Sequence, residues 1–92
     1  MARPRTFQTT SAAQMIINYD EKRTSLRISN VSGETCYIGV DPTVSISGLN
    51  QGEPIFSNGR FTAAFYEGID PRLERWIIGS VGGQLIVGED RV

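Results

Sequence analysis

The sequence predicts an all-β domain: an antiparallel β-sandwich or small jelly-roll-like barrel of about eight short strands, with an extended N-terminal arm. Three observations carry this expectation. Apolar and polar residues alternate with a period of two over most of the chain. Gly, Pro, Asn or Asp stands at nearly every junction between the alternating runs. No stretch shows the periodicity of a helix of two or more turns; the one helical turn that Arg72–Trp76 would allow after Pro71 is overruled by the alternation through Trp76 and Ile78.

Residues 1–13 read as a flexible arm, and 14–92 as a single β domain. The arm holds Arg3, Arg5, a proline, a run of small polar residues and no acid, with Phe7 as its only large apolar group. Such a segment cannot bury enough surface to fold alone. It is either a frayed terminus or an arm that orders on a partner, with Phe7 as the anchor.

The first strand of the domain is expected over 14–18, apolar at Met15, Ile16 and Ile17. The cluster Asp20-Glu21-Lys22-Arg23 turns the chain into a strand over 24–29. Residues 26–41 then read as a half-buried hairpin. Leu26 and Ile28 lie on one face of its first strand, Cys36 and Ile38 on one face of its second, and Asn30, Ser32 and Gly33 lie between. Asp41-Pro42 interrupts the pattern, since proline restricts its predecessor and cannot donate to a ladder. Alternation resumes over 43–47, with Val44 and Ile46 inward; 48–53 is a loop; 54–57 is a short edge strand. Asn58-Gly59 is the strongest hairpin signal, because both residues tolerate positive φ. Strands follow over 61–66, 74–79 and 84–88, the last two joined by Val81-Gly82-Gly83.

Three strands are apolar on both faces, at Ile16/Ile17, Trp76/Ile77 and Leu85/Ile86. Such strands are covered on both sides, either by the second sheet of a sandwich or by another subunit. The second reading makes Ile16, Ile77 and Ile86 oligomer contacts, and predicts that Ile77→Asp or Ile86→Asp dissociates an oligomer while leaving the fold. A core as small as 92 residues allow is near break-even against ordering entropy. One cysteine, Cys36, excludes an internal disulfide, and the absence of histidine argues against a zinc site. Oligomerisation is the remaining staple.

The net charge of −1 lacks the basic footprint of a nucleic-acid binder. No apolar run spans a bilayer, so neither nucleic acid nor membrane is an expected partner. Catalysis fares no better. No histidine is present for acid–base work, the acids sit mostly in turns, and Cys36 reads as a small buried hydrophobe. There is no G-x-S-x-G elbow, phosphate loop or calcium-type acid spacing. Arg60, Arg72 and Arg75 with Tyr66 and Trp76 read as scattered polar-face residues rather than as a sugar or nucleotide patch. The chain is therefore expected to be non-enzymatic, with no catalytic residues, metal or cofactor.

One stretch carries a resemblance. The string from Ile28 to Asp41, then Val44-Ser45, then Gly52-Glu53, and the terminal Leu85-Ile86-Val87-Gly88-Glu89, is similar to a pattern in small tailed-bacteriophage virion proteins, including capsid decoration (cement) proteins. It covers residues 26–89. The chain departs from the pattern at Gln51 and in the insert from Gly68 to Arg75. The resemblance implies a small all-β structural protein, a homotrimer by preference, made in the host cytoplasm and placed on the virion capsid surface. It would bind the outside of the shell and stabilise it. The implied partner is the major capsid protein, which the arm would meet through Arg3, Arg5 and Phe7. Ordering that arm costs about 1–2 kcal/mol per residue, so several copies acting together are favoured. A tail or connector component is the alternative within the same class. From another class, a carbohydrate- or peptide-binding β module would use Tyr37, Tyr66 and Trp76.

Overall fold

The computed structural model describes residues 5–79 and 83–92. It contains eight strands: β1 Arg5–Gln8, β2 Gln14–Ile17, β3 Arg23–Asn30, β4 Cys36–Gly39, β5 Glu53–Ile55, β6 Arg60–Ala64, β7 Arg75–Ile78 and β8 Gln84–Arg91. A 3-10 turn, Phe65–Glu67, follows β6. The strands form two antiparallel four-stranded sheets packed face to face and not closed into a barrel. Sheet A has the order β1-β8-β3-β6, and sheet B the order β2-β7-β4-β5. Strands adjacent in the chain thus take matching places in opposite sheets: β1 with β2, β8 with β7, β3 with β4, and β6 with β5. This is the order of an eight-strand jelly roll.

The alternation read from the sequence is the alternation that packs the core. Leu26 and Ile28 from β3, Phe61 and Ala63 from β6, and Leu85 and Val87 from β8 face Cys36, Ile38, Ile55 and Ile77 from sheet B. Leu26, Ile28, Ile77 and Leu85 are fully enclosed. Burying each such side chain contributes about 1.5–3 kcal/mol.

Strand pairing differs from the expected hairpins. β3 pairs with β6 and β8, whereas β4 pairs with β5 and β7, so residues 26–41 are a corner between sheets and not a hairpin. Alternation records which side chains face the core; two strands that face one core from opposite sheets carry the same signal as two ladder partners. Asn58-Gly59 is likewise a corner. Asn58 does adopt positive φ, at 63°, and the Gly59 amide donates to the Phe56 carbonyl at 2.7 Å, but the turn joins β5 of sheet B to β6 of sheet A. β7 and β8 also lie in opposite sheets; Val81 and Gly82 of their expected turn lie outside the described residues.

The corner after β3 is held by a buried amide. Asn30 is fully enclosed. Its Nδ2 donates to the carbonyls of Glu34 (2.7 Å) and Ile55 (2.8 Å). Its Oδ1 accepts from the Ser32 amide (3.0 Å) and hydroxyl (2.7 Å). Burying such a group is favourable only when its bonds are made, and here all are.

Residues 43–47 are not a strand. They belong to a folded loop, 40–52, tied by one isolated bridge between Ser45 and Gln51. Val44 is buried as expected, while Ile46 is 55% exposed. Val44 plugs a notch made by two glycines: a Cβ on Gly39 would meet Val44 Cβ at 2.9 Å, and one on Gly52 would meet Val44 Cγ2 at 2.6 Å.

The N-terminal segment is a correction to the expected arm. From Arg5 to Gln8 it is strand β1, laddered onto β8. Thr9 is buried, and its amide donates to the Gly83 carbonyl at 2.7 Å; the Gly79 amide donates to the Thr10 carbonyl at 3.1 Å. The ladder supplies the partners that composition could not foresee.

Candidate functional site

The residues proposed from the sequence do not converge. Arg3 lies outside the described residues. Arg5 takes its backbone place in β1. Phe7 is half-buried and packs on the protein's own core, so it is not a free anchor. Ile16 and Ile77 lie inside the sandwich, at 6% and 0% exposure, and cannot reach a second subunit. A bulge between Met15 and Ile17 turns Ile16 and Ile17 both inward, which alternation alone does not anticipate. Ile86 alone of the three faces out, at 40% exposure. Tyr37 and Trp76 share one face, but Tyr66 stands away from them, on the 3-10 turn that follows β6.

The two outer faces of the sandwich differ in chemistry. On sheet A, Leu26 and Ile28 point inward, so Arg27 and Ser29 point out. They stand beside Thr62 and Arg60 of β6 and Gly88 and Ile86 of β8. Asp90 accepts from the Ser25 hydroxyl at 2.8 Å and pairs with Arg27 at 3.4 Å. Those hydrogen bonds, the Ser25 one first, hold its carboxyl below the ordinary range. This face is polar apart from Ile86.

On sheet B, Cys36, Ile38 and Ile77 point inward, which turns Tyr37, Trp76 and Ile78 out. The register sets Met15 beside Trp76, and Tyr37 between Ile78 and Pro54. Met15, Trp76, Ile78, Tyr37 and Pro54 therefore tile one apolar face. Trp76 Nε1 donates to Glu74 Oε2 at 2.7 Å, which fixes the indole in that plane. The edges beside this face are blunted, by Pro54 on β5 and by the bulge in β2.

Apolar exposure also concentrates at one end. The connections β2–β3, β4–β5 and β6–β7 and the C-terminus share an end of the sandwich, because the start of β3 pairs with the ends of β6 and β8. Among the described residues, eight of the twelve exposed large hydrophobics lie there: Tyr19, Val40, Ile46, Leu49, Phe65, Tyr66, Leu73 and Val92.

The same end is braced by charges. The Asp70 carboxylate is gripped by Arg72 Nε and Nη2, both at 3.0 Å, and by the Arg72 amide, and sits below the ordinary carboxylate range for that reason. Arg72 lies over the Phe65 ring, 5.2 Å from its centroid. Buried Arg23 donates to the carbonyls of Pro71 (3.0 Å) and Asn18 (2.7 Å) and stands 3.6 Å from Glu89. Buried Arg75 donates to the Asp70 carbonyl at 2.6 Å and lies 5.3 Å from the Phe61 ring centroid.

Among the described residues no three Cys, Asp or Glu side chains gather as metal ligands do. Cys36 is buried, and that burial pushes its thiol up to about 11, the reverse of an activated nucleophile. Among the described residues no helix is long and apolar enough to cross a membrane. The exposed loop end was missed from the sequence and the outer face of sheet B was seen only in part, because alternation does not say which outward-facing side chains become neighbours. The pair Trp76/Ile77, apolar on successive positions, was the available signal.

Compared with known proteins, the chain matches no family model, no curated sequence and no solved structure.

Proposed function

We propose that this chain is a non-enzymatic structural protein of a bacteriophage particle, a capsid decoration (cement) protein that binds the outside of the shell and stabilises it. The observation that carries this reading is the asymmetry of the sandwich: a polar outer face on sheet A, and an apolar outer face of Met15, Tyr37, Pro54, Trp76 and Ile78 on sheet B. The resemblance of residues 26–89 to small virion proteins supports it, as does the jelly-roll order, an architecture found in viral capsid domains and also in lectins.

In this account the major capsid protein covers the sheet B face. Removing apolar area from water drives the contact at about 25 cal/mol per Å2. A homo-oligomer, three copies by preference, multiplies a weak individual contact by raising the effective concentration of the others. The N-terminal segment contributes from Arg3 and its neighbours, upstream of the laddered β1.

The test is co-sedimentation with expanded shells of the phage that encodes the chain. The wild type should pellet with the shells. Met15→Glu/Ile78→Glu should stay in the supernatant while keeping its β circular-dichroism spectrum. Wild-type protein that remains in the supernatant would sink the capsid reading, and pelleting with tails or connectors instead would move the chain to the alternative within the class.

A further inference from the structure

A depression of about 270 Å3 opens at the loop end, between the folded loop 40–52 and the mouth of the sandwich. Its apolar floor includes Val40 and Val44. Its polar lining combines two carboxylates, Asp41 and Glu53, two amides, Asn50 and Gln51, and the guanidinium of Arg75.

Arg75 is the unusual member. It is 6% exposed and makes one hydrogen bond, to the Asp70 carbonyl. Its Nε is buried with no partner, and among the described residues no carboxylate lies within ion-pair distance of it. A buried guanidinium with an unused donor is costly, and Arg75 is among the residues that line the depression. Asp41, also in the lining, accepts at Oδ1 from both the Thr43 amide (2.9 Å) and the Thr43 hydroxyl, which leaves Oδ2 to accept from elsewhere. The walls are fixed: Val44 is locked between Gly39 and Gly52.

We infer that this depression is a binding site for a neutral sugar. One cation and two anions in a single lining disfavour a simple anion, which meets Asp41 and Glu53, and a simple cation, which meets Arg75. A sugar hydroxyl both donates and accepts, so adjacent hydroxyls satisfy the carboxylates and the guanidinium together, the amides take either role, and the C–H face of the ring lies on the valines. The site stands independently of the virion reading, and draws on residues apart from the sheet B face.

The experiment titrates the full-length chain with glucose, galactose and mannose, each alone, and with alanine as a zwitterionic control, following backbone amide shifts by NMR. At least one hexose should give saturable shifts confined to 39–53 and the start of β7. Glu53→Gln and Asn50→Ala, both at exposed positions, should each weaken that hexose about tenfold, as loss of one good hydrogen bond does, with unchanged melting. The inference is overturned if no hexose saturates, if alanine binds where the hexoses do not, or if both variants bind the hexose as the wild type does.

Discussion

Asn30 decides how the chain turns the corner between its sheets. Alternation marks its position as inward-facing, and an inward asparagine is costly unless satisfied; the structure satisfies it through Ser32, Glu34 and Ile55. Asn30→Leu should cost about 2 kcal/mol, since it takes a donor from the buried Ile55 carbonyl and the acceptor from the Ser32 amide. Urea unfolding followed by tryptophan fluorescence measures that loss; a change under about 0.5 kcal/mol would show that the corner does not depend on the amide. Cys36 gives a pH signature. Its folded thiol is raised to about 11 by burial, against about 8.5 in an unfolded chain. As pH rises between these values the unfolded state gives up its proton while the folded state keeps it. The contribution is therefore fully present below about pH 8.5 and lost as pH climbs toward about 11. Cys36→Ala should flatten that alkaline decline in a stability-versus-pH series, and identical slopes for the two proteins would refute the assignment. Residue-scale burial was largely legible: Leu26, Ile28, Cys36, Ile38 and Leu85 face the core as the alternation requires. Ile16 was not, because a bulge shifts the register by one position and alternation is silent on bulges.

At the scale of elements, strand positions were legible and strand partners were not. Seven of the eight strands among the described residues coincide with runs expected to be strands; β1 escaped because Arg5–Gln8 has one large apolar residue and draws its stability from the β8 ladder. The turn signals at Asn30–Gly33 and Asn58-Gly59 both fall between strands, and Asn58 takes the positive φ expected of it, at 63°. A turn residue permits a reversal without stating whether the chain returns beside itself or across the core. Loop 40–52 shows a different limit. Its alternation is real, but Asp41-Pro42 and Gly48, at φ 86°, bend it into a loop whose one inward anchor is Val44. Gly52→Ala should release that anchor, since the new Cβ would meet Val44 Cγ2 at 2.6 Å and the Ile38 carbonyl oxygen at 2.7 Å. Faster amide exchange over 43–51, with exchange in β3 and β8 unchanged, is the expected result; unaltered exchange in the loop would contradict it.

For the whole molecule, six of the seven connections pass from one sheet to the other, so almost every pairing waits on a distant segment. The order 1-8-3-6 over 2-7-4-5 could not be read from the chain for this reason. The same topology separates what each sheet shows to solvent. Sheet A turns Arg27, Ser29, Arg60 and Thr62 outward, and sheet B turns out Met15, Tyr37, Trp76 and Ile78. The candidate surface was half legible, in that Trp76 and Ile78 were seen to alternate with Ile77, while Met15 and Pro54 joined them only through the sheet register. The most direct test is hydroxyl-radical footprinting of the free chain and of chain bound to shells, read by mass spectrometry at Met15, Tyr37, Trp76 and Tyr66. Met15, 41% exposed in the free chain, should be oxidised readily there, and should be protected together with Tyr37 and Trp76 on the shell. Equal oxidation of Met15 and Trp76 in the free and shell-bound chain would contradict the account.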